Sequence, residues 1–328
     1  MSFKDVLGHT RPIEMLQRAI QHDKVVHSYL FWGNEGIGKK WVALQFAKAL
    51  NCLEGGPEKW EACDQCSSCK KIDRLLHPDV SLLEPEGQTI RIEQVRLMQH
   101  DLAYRPYEGR RRVCILTAAD RMAPNMSNAL LKTLEEPPLH TVIILLANHP
   151  RLLLPTILSR CQTIRFNSLP IPLVSKWLVD KMAIPENESH LLASLSEGSP
   201  GKAMEIRDGL REIPRKEILK DWVGLKRLSF EKIEGWTELL PSQRENLLLI
   251  LEVAKTILRD LVMVNLFQHN ARLIHTDLYK EMEEIAFQWS LPSLLKRMKA
   301  LHQAILAIRE YANTTLALEA MMFSWAEG

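Results

Sequence analysis

A strong charge of either sign is missing from this sequence: 42 Lys and Arg against 40 Asp and Glu leave the 328-residue chain a formal net charge of +2. Non-specific affinity for DNA grows with the number of phosphates a protein neutralises. A near-neutral chain therefore lacks a cationic sleeve, and any nucleic-acid contact is local or shared with partners. Long apolar runs are also missing. No segment reaches the 18 or more apolar residues of a membrane span, and the opening MSFKDVLGHTRPIEML has no signal-peptide core behind basic residues. A cytoplasmic protein with no membrane partner is expected. Internal repeats and low-complexity tracts are absent too. At 46% hydrophobic and 25% charged residues, the chain is too long for one ordinary core and suits two or three globular domains.

What is present begins with short β-favouring apolar runs, at 28–32, 80–83, 113–116, 142–146 and 163–166, that alternate with helical patterns at 41–50, 92–103 and 127–134. That alternation predicts a mostly parallel sheet flanked by helices over residues 1–166. The Pro-containing stretch 167–172 reads as a linker into short helices, giving a small helical domain at 167–212. From 213 to 328 the pattern is helical, with apolar stripes at 245–267 and 294–308 that read as bundle core.

After the first apolar run comes Gly33-Asn34-Glu35-Gly36-Ile37-Gly38-Lys39-Lys40, the spacing of a phosphate-binding P-loop. Gly33, Gly36 and Gly38 let backbone amides approach phosphate oxygens at a helix N-terminus, and Lys39 would reach the terminal phosphates. The motif should end in Ser or Thr to hold magnesium, but Lys40 stands there. A second omission follows in the strand Val113–Leu116. Where a P-loop ATPase places a magnesium-binding Asp and a water-activating Glu, this chain has Thr117 and Ala118, and Asp120 comes only beyond the strand. The sequence thus predicts the architecture of a nucleotide hydrolase with degenerate, weak or no nucleotide binding and no ATPase activity of its own. Asn148 could serve as a polar sensor after the fourth strand, or simply as a turn residue.

Four of the six cysteines, Cys52, Cys63, Cys66 and Cys69, form C-x10-C-x2-C-x2-C. This spacing lets four thiolates converge on one tetrahedral zinc and close its shell, as in a structural site. They would stabilise an excursion, about 52–69, that contains Gly55, Gly56 and Pro57 and has little apolar content. An iron-sulfur cluster is the other metal reading. Cys114 and Cys161 read as small core hydrophobes. Lys70 and Lys71 are diluted by Glu58, Glu61 and Asp64, which argues against a DNA-binding finger.

Three stretches resemble the bacterial clamp-loader AAA+ family of the DNA polymerase III holoenzyme, specifically its members that have lost hydrolysis: His27–Phe31, Asn128–Pro138 and Leu154–Cys161. The likeness is strong over about residues 1–207. Beyond that it rests on length, helicity and the closing stretch Asn313–Glu319. The resemblance implies an AAA+ P-loop domain (1–166) with an inserted zinc module, a helical lid (167–212) and a helical collar that assembles a ring (213–328). It implies that Arg160 of Ser159-Arg160-Cys161 is an arginine finger, reaching in trans to ATP held by a neighbouring subunit. It also favours zinc over an iron-sulfur cluster. The implied partners are gamma/tau-type motor subunits, a delta-type clamp-opening subunit and, through the complex, the sliding clamp and primer-template DNA. Active relatives carry a nucleotide-sensing arginine at a place that aligns with Gly201, next to Lys202. Two rivals stand beside this reading: an active gamma/tau-type ATPase, and a zinc-dependent nucleic-acid-binding module. Nothing resembles a polymerase active site. His27 and His77 have no catalytic partner at a recognised spacing, Arg110–Arg112 reads as a solvated loop, and Glu135-Glu136 as an exposed charged turn that would face a partner in a ring.

Overall fold

The computed structural model describes residues 2–55, 60–85, 87, 90–223, 243–268 and 271–326. Gly56, Pro57 and Glu58 of the cysteine excursion lie outside them, as do residues 224–242 of the expected collar. The chain divides into two compact units, Met1–Leu169 with Ser199–Gly201, and Pro170–Gly198 with Lys202–Gly328.

In the first unit, β1 (Ser28–Trp32), β2 (Val80–Leu83), β3 (Arg112–Leu116), β4 (Thr141–Ala147) and β5 (Gln162–Arg165) form one sheet in the order β2-β3-β4-β1-β5. Every neighbouring pair is parallel. All seven residues of β4 are buried, as a central strand covered on both faces requires. Successive side chains alternate between two apolar layers. Tyr29, Phe31, Ile115 and Ile144 pack with residues of α1 (Thr10–Gln21), α2 (Lys39–Asn51) and α3 (Ser67–Asp73), among them Leu16, Phe46 and Ile72. Leu30, Cys114, Ile143 and Leu145 pack with Val95, Leu130 and Ile157 of α4 (Ile92–Leu102), α5 (Pro124–Glu135) and α6 (Pro155–Leu158). The expected parallel α/β architecture is therefore present. β1 and β2 have the expected bounds, while β5 starts and ends one residue earlier than the apolar run suggested. Helices α1 and α3 were not among the expected elements.

The second unit is helical: α7 (Ile171–Met182), α8 (Glu186–Leu195), most of α9 (Pro200–Glu212), α10 (Arg215–Glu217) running into a π-helix at Ile218–Val223, α11 (Arg244–Phe267), α12 (Tyr279–Ala286), α13 (Leu291–Arg309) and α14 (Thr314–Ala326). The apolar stripes of α11 and α13 are buried as core, including Leu251, Ile257, Leu301 and Ile305. Charged side chains are buried in this unit too, Asp260 of α11 among them. Arg297 is 1% exposed, donates to the carbonyls of Val223 (3.0 Å) and Trp325 (3.3 Å), and stacks on Trp289. Burial pulls its pKa down to about 10. Among the described residues, no helix is long and apolar enough to cross a membrane.

Candidate functional site

The glycine loop joins the C-terminal end of β1 to α2. Gly33, Gly36 and Gly38 all have positive φ. Gly33 has no room for a side chain as well: a Cβ there would lie 2.1 Å from the Phe166 carbonyl oxygen. The loop is thus P-loop-shaped because β1 ends against β5 and only glycine fits between them.

The lysine does not reach into open space. Lys39 Nζ donates to the carbonyls of Gly33 (2.5 Å) and Asn34 (2.8 Å) and to Asn148 Oδ1 (2.8 Å). Burial draws its pKa down to about 8, although Asp120 and Glu35 oppose the shift. Asn148, the candidate sensor, is therefore a partner of the P-loop lysine. Lys40, standing where Ser or Thr would hold magnesium, forms an ion pair with Glu84 at 2.8 Å. Thr117 turns both its N–H and its hydroxyl to the Leu83 carbonyl, and Ala118 adopts a left-handed conformation. Asp120 Oδ2 accepts from the N–H groups of Asn148 (2.9 Å) and His149 (2.8 Å), bracing the end of β4. The resulting cleft of about 820 Å³ is lined by Lys39, Lys40, Glu84, Thr117, Ala118 and Arg121 among others. Arg121 was not singled out in the sequence.

The stretch aligned with the nucleotide-sensing arginine sits directly on the loop. Gly201 N–H donates to the Gly36 carbonyl at 2.8 Å, and Ser199 Oγ donates to the Glu35 carbonyl at 2.7 Å. A Cβ on Gly201 would meet Gly36 O at 2.7 Å and Gly36 Cα at 2.8 Å. Backbone contact thus excludes any side chain at this place.

Arg160 lies at the other end of the strands. Ser28, the first residue of β1, donates its hydroxyl to the Arg160 carbonyl at 2.6 Å, and β5 then runs alongside β1 from Gln162. At about 3.3 Å per strand residue, the five steps from Ser28 to Gly33 put roughly 16 Å between this end and the start of the glycine loop. Arg160 Nη2 pairs with Glu135 Oε1 at 2.6 Å, and Nη1 donates to Thr156 O (2.9 Å) and Ser159 Oγ (3.3 Å). Ser159 Oγ itself donates to Thr156 O at 3.1 Å, a local helix-end contact. The Arg160–Glu135 pair had no sequence signal, because 25 residues and two elements separate the partners. Burial pushes the Cys161 and Cys114 thiols up to about 11, consistent with their reading as small core side chains.

The same edge carries the cysteine cluster. Cys52 follows α2, Cys66 caps α3, and the Sγ atoms of Cys52, Cys63, Cys66 and Cys69 all lie within 4.8 Å of one another. Tetrahedral zinc with bonds of about 2.3 Å needs sulfur–sulfur separations of about 3.8 Å, so the four residues fit a metal ion with little adjustment. Backbone N–H groups already point at the sulfurs: Cys63 N to Cys52 Sγ (3.3 Å), Cys66 N to Cys63 Sγ (3.3 Å) and Cys69 N to Cys66 Sγ (3.4 Å). Burial raises the Cys52 and Cys69 thiols. Burial acts on Cys66 in the same sense, but N–H donors such as those of Cys69 and Leu53 outweigh it and bring that thiol to about 6. A buried lysine anchors the module to α2. Lys48, fully buried, pairs with Asp64 and with Asp73 (2.8 Å), and these carboxylates keep its ammonium charged despite burial. Beside it, Asn51 Oδ1 accepts from Arg110 and Arg111 N–H, both at 2.9 Å. Asp79 accepts from the N–H groups of Tyr107, Glu108 and Gly109. The basic run is thereby tied into the edge by its backbone.

Comparison with known proteins finds relatives among DNA polymerase III subunits. The family described as "DNA polymerase III, delta subunit" matches residues 8–170. The DNA polymerase III subunit delta' of Bacillus subtilis is 30% identical over 97% of this chain and 96% of its own length. The delta' subunit of Pseudomonas aeruginosa is 36% identical over 63% of this chain and 62% of its own. Among solved structures, a gamma subunit-related protein of Thermotoga maritima aligns with a TM-score of 0.47 at 20% identity, over 96% of this chain and 98% of that one.

Proposed function

The chain belongs to the DNA polymerase III delta-prime family, and on that premise we propose that it is the non-hydrolysing stator subunit of a bacterial clamp loader, with Arg160 as an arginine finger in trans. The observation that carries this reading is the placement of Arg160. It stands at the N-terminal end of β1, whereas the chain's own glycine loop leaves the C-terminal end, a separation that supports action on another subunit's nucleotide. Its guanidinium is always charged and offers a planar fork of donors to phosphate oxygens. In the neighbour's site it would stabilise charge that builds on the transferred phosphoryl group.

The chain's own loop supports the same division of labour. Lys40 and Thr117 stand at the two magnesium-ligand positions, Ala118 stands where water would be activated, and Gly201 excludes the sensing arginine. The P-loop is then a structural turn whose lysine is held by three internal acceptors. In this reading the first unit is an AAA+ module, and residues 167–212 and 213–328 serve as lid and collar. The partners are gamma/tau-type motor subunits and a delta-type clamp-opening subunit. Sliding clamp and primed DNA are met through the assembled, cytoplasmic complex. One zinc ion, held by Cys52, Cys63, Cys66 and Cys69, would supply structural cross-linking and no chemistry.

Turnover by the isolated chain separates this proposal from an active gamma-type ATPase. The purified protein is expected to hydrolyse no ATP above background, with or without magnesium. Hydrolysis that Lys39→Ala abolishes would make this chain a motor subunit and end the stator reading.

A further inference from the structure

We propose that Glu135 is a latch on Arg160: it holds the guanidinium against its own subunit and must let go before the finger crosses to a neighbour. This rests on the reading of Arg160 as a finger in trans. Glu135 is the last residue of α5 and Arg160 follows α6, two elements that pack together. Their ion pair is short, 2.6 Å, and only partly exposed, with 34% of the Arg160 side chain and 47% of the Glu135 side chain accessible. The other terminal nitrogen is engaged as well, on Thr156 O and Ser159 Oγ. Both tips of the fork therefore point at acceptors of their own chain.

The backbone of Arg160 is fixed independently. Its carbonyl accepts from Ser28 Oγ, and its N–H donates to Ile157 O. Delivery of the finger is consequently a movement of the side chain alone. A phosphate grips a guanidinium through its paired N–H donors, so it and Glu135 compete for Nη2. The fraction of subunits with the arginine released then scales the rate at which the neighbouring site fires. A latch of this kind keeps turnover low until assembly on clamp and DNA presents a stronger acceptor.

The test is ATP turnover by the reconstituted loader containing Glu135→Gln, which keeps the side-chain size and removes the charge, with Glu135→Ala as a second variant. Without clamp and DNA, turnover is expected to rise about two- to fivefold, the range an exposed ion pair can supply. With both present it should change less, because the finger is already delivered. In an Arg160→Ala background, Glu135→Gln should have no effect, whereas a merely structural role for Glu135 would act in both backgrounds. Unchanged or reduced unstimulated turnover in folded Glu135 variants would overturn the latch and leave the finger standing. Wild-type stimulated turnover in Arg160→Ala alone would remove the finger, and the latch with it.

Discussion

The two edges of one parallel sheet have been treated very differently in this chain. At the C-terminal edge the residues that announce a nucleotide site, Gly33, Gly36, Gly38 and Lys39, survive as geometry. Lys39 is turned onto carbonyls and Asn148, Lys40 onto Glu84, and Gly201 is pressed against Gly36. At the N-terminal edge, several polar side chains are tied to backbone groups or to one another. Asn51 and Asp79 tie down the loop into β3, Lys48 anchors the cysteine module, and Ser28 fixes Arg160. In the proposed reading, a glycine-rich motif outlasts its chemistry because the fold still needs the turn, and a single arginine carries function from a position set by backbone bonds at a strand end.

Breaking the well-built edge should have the largest effect. On the zinc reading, four converging cysteines with little apolar core around them make metal binding part of folding. Metal analysis is expected to find one zinc per chain. Cys69→Ser should release it and lower stability by several kcal/mol in thermal unfolding, with strong chelators acting in the same direction. A metal-free wild-type protein as stable as the rest of the unit would show that the cluster is merely four neighbouring thiols.

A smaller effect is expected at the nucleotide edge. Gly201→Ala places a methyl group 2.7 Å from the Gly36 oxygen, and overpacking against backbone costs about 1–3 kcal/mol. Urea unfolding reads this directly. Gly201→Arg should be no more stable and should confer no ATPase activity, because the magnesium ligands are still missing. A Gly201→Ala variant as stable as wild type would mean that the loop yields, and that the cleft is more adaptable than its contacts imply.

Much of this contrast was legible from residues alone. The alternation of β-favouring runs and helical patterns placed the five strands, most sharply β1, β3 and β4, which are buried almost throughout, while edge strand β5 buries only Ile164. The losses at Lys40, Thr117 and Ala118 are visible because the motif fixes what should stand there. The cysteine spacing marks a metal module for the same reason. What escaped was long-range pairing. Glu135 with Arg160 and Gly201 with Gly36 join residues far apart in sequence, so no local period reports them. Lys48 and Arg297 sit within apolar faces, where helical periodicity cannot tell that a charge is buried with partners. Helix α3 has only seven residues, and its start is set by Cys66 rather than by an apolar stripe. Helix α1, by contrast, carries its buried residues Ile13, Leu16 and Ile20 at helical spacing, so its apolar stripe was legible and was overlooked.

The central claim is that this chain's chemistry lies in Arg160 and not in its own glycine loop. It is tested most directly by clamp- and DNA-stimulated ATP turnover of the reconstituted loader, comparing wild type with Arg160→Ala and Lys39→Ala. An arginine finger supplies orders of magnitude at the site it serves, so Arg160→Ala is expected to lower turnover about tenfold or more. Lys39→Ala should leave it within about twofold, since it removes no transition-state contact. A large loss for Lys39→Ala with little for Arg160→Ala would place the working site in this chain's own P-loop and contradict the account.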